Sequence, residues 1–246
     1  HCEDATLTKD AVMNEGRASV ELGLRGWPNA AEAAMAARDV LLARLTGGRL
    51  HIAHVSARET VEVLRAARKS GSPVTAEASP HHLTLTDDLL RRYDSRFKMN
   101  PPLRTQDDVD AVVAALADGT IDCIASDHAP HTSEEKDQEL AGCPNGIVGL
   151  ETTLGVVLTD LVAAGRLTLT RAIDAMTAAP AKILGIDRGR LSIGAVADVT
   201  VIDPEIEWVC EPENFRTRGR SSPWAGRKFK GGAVMTLVGG RIAFQV

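Results

Sequence analysis

The chain has 246 residues, 44% hydrophobic and 25% charged, which is the composition of a globular protein large enough for a full core. Its net charge of −5 gives no electrostatic reason to expect nucleic acid or an anionic membrane as a partner. No apolar run approaches the roughly 20 residues of a membrane helix, and no signal peptide is recognisable. The four cysteines form no Cys-x-x-Cys pair, which favours reduced thiols and a cytoplasmic location.

Residues 5–28 have weak periodicity and several glycines, and they are predicted as loop with one short helix. Beyond them, helices alternate with short apolar strands. Helices are predicted over 29–46, 57–70 and 105–116, and strands over 50–55, 74–78 and from 121. This order is typical of a parallel sheet with crossover helices. Ser56 with Glu59, and Thr105 with Asp108, are interpreted as capping boxes at two helix starts.

After the third strand the chain changes character. Residues 149–164 and 170–184 have helical patterns, whereas from Gly194 onward short β-branched runs are separated by glycine and proline turns. We therefore predict an α/β part over 1–190 and a small antiparallel β unit over 191–246. A complete eight-stranded (β/α)8 barrel needs about 200 to 250 residues. The three convincing strands would supply roughly half of one.

Polar residues follow the predicted strands where each strand ends. His54 ends the first strand, and Asp127 with His128 follows the third. In α/β barrels the carboxyl ends of the strands face the active site, and carboxylates and imidazoles are ligands that zinc accepts. Together with His1, which opens the chain, His54 and Asp127 form the best candidate set of metal ligands.

The other histidines have competing interpretations. His51 lies three residues before His54 on the same strand, so the two side chains point to opposite faces, and His51 is expected to pack or hydrogen-bond within the wall. His81 and His82 are adjacent and cannot both face one site. For each of them, a substrate contact and a structural role in the loop both remain open.

Four motifs together resemble those of the cyclic amidohydrolases, and within that superfamily the dihydroorotases of the longer, bacterial type. These motifs are His1-Cys2-Glu3, His54-Val55-Ser56, Asn100-Pro101-Pro102-Leu103-Arg104 and Ser126-Asp127-His128-Ala129-Pro130-His131. The run from Gly194 to Ile202 also resembles the strand that returns to the β-sandwich in this family. The resemblance implies a metal-dependent (β/α)8 TIM barrel, of which this chain would be the carboxyl-terminal half, together with part of a composite β-sandwich.

For the site, the resemblance implies two zinc ions and the reversible interconversion of N-carbamoyl-L-aspartate and dihydroorotate in pyrimidine biosynthesis. His1 and His54 match ligands of one ion, and Asp127 matches a ligand of the other as well as the acid/base.

Asn100, His131 and the pair Asn145-Gly146 match substrate-binding residues. Position 145 often carries Phe in relatives, so a backbone contact is expected there. The resemblance also implies a homo-oligomer.

The resemblance is incomplete at one end. The family's His-x-His pair, bridging carboxylate and substrate-gripping arginine all precede the His-Cys-Glu motif, and none occurs in this sequence. We therefore expect a portion that begins at the end of barrel strand five and is inactive in isolation. Two alternatives remain: a hydantoinase or allantoinase, and a non-catalytic scaffold for aspartate transcarbamoylase. Asn100 and His131 favour dihydroorotase over the former, and retention of all three candidate ligands weighs against the latter.

Overall fold

The computed structural model describes all 246 residues, which form ten α-helices and eight strands. In chain order the elements are α1 Ala5–Thr8, β1 Met13–Asn14, α2 Arg17–Leu22, β2 Gly26–Trp27, α3 Asn29–Thr46, β3 Leu50–Ile52, α4 Arg58–Lys69, β4 Val74–Ala78, α5 Pro80–Thr84, α6 Gln106–Ala117, β5 Cys123–Ile124, α7 Ser133–Lys136, α8 Thr153–Val156, α9 Leu169–Met176, α10 Ala178–Leu184, β6 Val199–Val209, β7 Lys228–Val238 and β8 Arg241–Gln245. Short 3₁₀ segments cover Asp87–Arg92, Ser95–Phe97 and Pro212–Asn214, and α8 continues as a π-helix over Val157–Val162.

The three central strands pair in parallel in the order β3-β4-β5, as their alternation with helices predicts. Because side chains alternate along a strand, the sheet has two different faces. One face packs against the helices and includes Ile52, Ala76 and Ile124, which are all nearly inaccessible to solvent. The other carries the side chains of His51, Thr75, Glu77 and Cys123, and His54 and Asp127 follow the strands at their carboxyl ends.

The first 28 residues are more ordered than the sequence predicts, because they contain two short helices and the parallel pair β1-β2. Buried Arg104 anchors this segment: its guanidinium donates to Asn14 Oδ1 at 2.9 Å and to the Trp27 carbonyl at 2.7 Å. The same guanidinium donates to Ser56 Oγ at 3.1 Å. The last residue of the Pro-Pro-Leu-Arg motif therefore has a structural role.

One of the two predicted capping boxes is present. The Thr105 and Asp108 side chains each accept a hydrogen bond from the other residue's backbone amide at the start of α6. The box at Ser56 was wrong, because α4 begins after Ala57 without a side-chain cap. The buried carboxylate of Glu32 from α3 takes that place: it accepts from the Ser56 hydroxyl and from the amides of Ser56 and Ala57, both at 3.1 Å.

The C-terminal unit is an antiparallel sheet in the order β6-β7-β8, as predicted, although β6 and β7 are longer than their apolar runs. A second hydrophobic core joins Trp224 and Phe229 of this unit to Leu103, Ile147 and Val156. The division at residue 190 remains a prediction, since this core crosses it. All four cysteines are buried and unpaired, and no helix is both long and apolar enough to cross a membrane.

Candidate active site

The carboxyl ends of β3 and β5 lead directly to the two central candidate residues. His54 and Asp127 both have left-handed backbone conformations, with φ of 35° and 48°. Residues other than glycine rarely adopt such angles, and those that do cluster at functional sites because the surrounding fold must impose the strain. The backbone thus bends sharply at both residues, immediately after the strands.

His1 and His54 are brought together although 53 residues separate them. His1 Nδ1 lies 2.9 Å from His54 Nε2, and the rings meet edge to face at 79°. Burial, followed by the nearby His82, lowers the pKa of His54 to about 4, so its imidazole is neutral at pH 7 and able to ligate a metal. Its Nδ1 atom is buried without a hydrogen-bond partner. This geometry suits two ligands of one metal, a role that stays a prediction.

Glu3 links this pair to a third candidate residue. Its Oε2 atom lies 2.9 Å from His1 Nε2 and accepts a hydrogen bond from Asn100 Nδ2 at 3.1 Å. The Asn100 Oδ1 atom is buried and has no partner. The sequence analysis did not include Glu3 among the candidate site residues, although its position in the His-Cys-Glu motif could have indicated it.

Asp127 stands apart from the His1–His54 pair. The three residues do not form a cluster with ligand atoms within 4.8 Å of one another. The Asp127 carboxylate instead lies 3.6 Å from His81 Nε2. Burial, followed by the charge of Glu77, raises the pKa of Asp127, which favours a proton-carrying role.

The structure separates the two adjacent histidines that the sequence could not distinguish. His82 Nε2 hydrogen-bonds the Pro101 carbonyl at 2.9 Å and so supports the loop that carries Asn100. His81 is 1% exposed, and neither of its ring nitrogens has a hydrogen-bond partner. Burial is the main reason that the pKa of His81 lies well below its ordinary value. His81 therefore offers Asp127 a neutral imidazole.

His131 and the Asn145-Gly146 pair form a separate rim of the site. His131 Nε2 donates to the Asn145 carbonyl at 2.8 Å, and the Gly146 amide donates to the Lys98 carbonyl at 3.1 Å. These backbone groups are already hydrogen-bonded within the protein, while the side chain of Asn145 is exposed. Position 146 requires glycine, because φ is 128° and a Cβ would lie 2.7 Å from the Ala129 side chain.

Two buried lysines hold this rim in place. Lys136 Nζ donates to the carbonyls of Lys98, Pro144 and Gly146 at 3.3, 2.9 and 3.1 Å. Lys98 Nζ donates to the Cys143 carbonyl at 2.7 Å, and burial lowers the pKa of both lysines. Each ammonium is surrounded by backbone oxygens and fixes the loop that presents Asn145.

The family follows from comparison with known proteins. The model of the amidohydrolase family matches residues 16–243, and the chain belongs to that family. It is 53% identical over 247 residues to the dihydroorotase of Endomicrobium trichonymphae and 53% identical over 245 residues to that of Pelotomaculum thermopropionicum. Both matches cover 100% of this chain but only 58% and 57% of those proteins. The resemblance to dihydroorotases is thereby confirmed.

Solved structures support the same fold. The L-hydantoinase of Arthrobacter aurescens superposes with a TM-score of 0.85 and 32% identity, over 89% of this chain and 50% of that one. Dihydropyrimidinase from Brevibacillus agri gives a TM-score of 0.88 at 24% identity, over 100% of this chain and 56% of that one, which bears on the fold alone. The three central strands and their helices are thus part of an amidohydrolase fold.

Proposed function

We propose that this chain contributes to the active site of a dihydroorotase, which interconverts N-carbamoyl-L-aspartate and dihydroorotate in pyrimidine biosynthesis. The observation that carries the proposal is the convergence of His1, His54 and Asn100 through Glu3, beside the carboxyl ends of parallel strands. The 53% identity to dihydroorotases supports this activity over that of the hydantoinase, at 32%.

The donor atoms fit zinc, and two ions are proposed. His1 and His54 offer imidazole nitrogens for one ion, and Asp127 offers a carboxylate for the other. The Nδ1 atom of His54 is buried without a hydrogen-bond partner. Bound zinc polarises a carbonyl and acidifies water. Asp127 accepts the proton that the attacking water loses and delivers it to the ring nitrogen as the amide bond breaks. His81 lies beside the Asp127 carboxylate, with its Nε2 atom 3.6 Å away.

Asn100 and His131 are proposed to bind the substrate's ring carboxylate. In the structure the Asn100 amide donates to Glu3 and His131 Nε2 donates to the Asn145 carbonyl. A bound carboxylate would replace these acceptors, so both donors keep a partner. The charge on this carboxylate separates dihydroorotate from hydantoin, which lacks it.

The test is an assay of the protein that contains this chain, with dihydroorotate and with unsubstituted hydantoin. A kcat/KM for dihydroorotate at least 100-fold above that for hydantoin supports the proposal. The reverse preference would favour the hydantoinase or allantoinase alternative. Metal analysis of the same preparation and of its His1→Gln/His54→Gln variant addresses the scaffold alternative, which predicts equal zinc contents for the two.

Assembly is a separate part of the proposal. We infer a homo-oligomer and retain aspartate transcarbamoylase as a candidate partner, both on the resemblance alone. Light scattering after gel filtration tests the first, and co-purification with aspartate transcarbamoylase tests the second.

A further inference from the structure

A second group of metal-ligating side chains lies on the polar face of the sheet, next to the site described above and made of different residues. His51 is on β3, Glu77 on β4 and Cys123 on β5, so each strand contributes one residue. Their ligand atoms, an imidazole nitrogen, a carboxylate oxygen and a thiol sulfur, lie within 4.8 Å of one another. His51 precedes His54 by three residues, and Glu77 lies between the two groups, because its carboxylate accepts a hydrogen bond from the His54 backbone amide.

The strand register creates this cluster. In the parallel sheet His51 is opposite Thr75, and Glu77 is opposite Cys123. Side-chain alternation then places all four on the face opposite the helices. The three ligand atoms are therefore positioned by backbone hydrogen bonds in the sheet and not by flexible loops.

The hydrogen bonds of Thr75 fix the orientation of His51. His51 Nδ1 lies 2.8 Å from the Thr75 hydroxyl, which also contacts the Leu50 carbonyl at 3.3 Å. The other ring nitrogen, Nε2, lies 3.2 Å from Glu77 Oε2 and hydrogen-bonds that carboxylate. A divalent cation bound by both atoms would take the place of the proton that they share. Orientation of a histidine by a partner on its other nitrogen is the usual arrangement in metal sites.

Cys123 adds a third ligand to the same point. It is 2% exposed, and its sulfur has one weak contact, to the Ala76 carbonyl at 4.0 Å. Burial, then the charges of Glu77 and Asp122, raise the pKa of its thiol to about 12. The surroundings thus disfavour a free thiolate, whereas a coordinated cation would stabilise one.

We propose that His51, Glu77 and Cys123 form a binding site for a zinc-like divalent cation, distinct from the proposed catalytic ions. Ligands of a tetrahedral zinc ion, at bonds of about 2.0 to 2.3 Å, lie roughly 3.3 to 3.8 Å apart. The present atoms lie within 4.8 Å of one another, about 1 Å beyond this spacing at most. Three protein ligands leave one position for water. The ion would join β3, β4 and β5 directly, so binding it should stabilise the sheet. This site does not depend on the dihydroorotase proposal.

The test uses Co²⁺ as a spectroscopic probe of the full chain. Thiolate ligation gives a near-ultraviolet charge-transfer band, and the proposed catalytic ligands His1, His54 and Asp127 include no thiol. We expect one Co²⁺ per chain with this band, displaced by Zn²⁺, and loss of the band in Cys123→Ser. His51→Gln and Glu77→Gln should each weaken Co²⁺ binding by about 10-fold or more.

Two matched cysteine variants serve as controls. Cys2→Ser changes the thiol next to His1, and Cys210→Ser changes a buried thiol in the other hydrophobic core; both should keep the band. The double variant His1→Gln/His54→Gln should also keep it. A band that is absent from the unmodified chain, or that disappears in Cys2→Ser and persists in Cys123→Ser, would overturn the site.

Anomalous scattering from crystals grown with Zn²⁺ provides a measurement that needs no variant. A peak at about 2.3 Å from Cys123 Sγ supports the proposal. A peak confined to His1 and His54, with none at Cys123, rejects it while leaving the proposed function intact.

Discussion

The two faces of the central sheet differ in the polarity of their side chains. The helix face, with Ile52, Ala76 and Ile124, is apolar and fully packed. The other face is polar, and the segments that follow the strands contain buried nitrogens without partners, at His54 and at His81. An unsatisfied buried polar atom costs about 1–3 kcal/mol, so stability alone would not retain such atoms. The contrast is between the helix face, which holds the fold together, and the segments beyond the strand ends, where the proposed site lies.

The largest effect should come from the polar face. Asp127→Asn, in the protein that contains this chain, removes a carboxylate that can carry a proton and weakens a metal ligand. We expect kcat for dihydroorotate to fall by about 10²- to 10⁴-fold, measured by steady-state kinetics. Asp137→Asn is the matched control, because Asp137 is exposed in the following loop and should leave kcat unchanged. A kcat within a few-fold of the unmodified protein would remove Asp127 from the acid/base role.

Substitutions on the helix face should lower stability and leave activity nearly unchanged. Leu64 on α4 is fully buried in the core beneath the sheet. Leu64→Ala leaves a cavity and should lower the free energy of unfolding by about 2–5 kcal/mol, measured by urea denaturation. Activity per folded molecule should stay near normal. Leu45→Ala on α3, where the side chain is 81% exposed, should cost less than about 0.5 kcal/mol. Equal costs at the two positions would contradict the assignment of the core.

A pH experiment tests a buried histidine beside the site. Burial lowers the pKa of His82 to about 4, whereas an exposed histidine titrates near 6.5. The unfolded chain therefore binds a proton that the folded chain excludes, so the stabilising effect is complete above pH 6.5 and is lost as pH falls towards 4. The loss due to His82 should be about 3 kcal/mol.

The variant His82→Gln isolates this contribution. Its amide can still donate to the Pro101 carbonyl but does not titrate. The unfolding free energy of His82→Gln should decline less steeply between pH 6.5 and 4 than that of the unmodified chain. Parallel curves would mean that His82 titrates in the folded state as it does in water.

Much of the fold was predictable because it depends on local patterns. The alternation of strands and helices, the capping box at Thr105 and the antiparallel tail all follow from residues close in sequence. The box at Ser56 failed because its true partner, Glu32, lies 24 residues upstream and is delivered by the packing of α3. Periodicity carries no information on such a contact.

In the candidate site, too, local sequence predicted some features and long-range contacts determined the others. Strand ends made His54 and Asp127 candidates, which they remain, and His51 was predicted to pack or hydrogen-bond within the wall, where it contacts Thr75. Its clustering with Glu77 and Cys123 depends on the register between three strands, which no single strand encodes. The roles of His81 and His82 likewise required the fold, because two adjacent residues give no signal of which one faces Asp127.

The smallest predicted effects concern substrate charge. Hydrogen bonds to a charged group contribute about 1.5–3 kcal/mol, so Asn100→Ala and His131→Ala should each weaken dihydroorotate binding by about 10- to 150-fold. The carboxylate does not react, so the change should appear as a raised KM more than a lowered kcat. An uncharged cyclic amide should be affected much less by either variant. Equal losses on charged and uncharged substrates would instead mean that both residues support the fold. Asn100 would then act through its contact with Glu3, and His131 through its contact with Asn145.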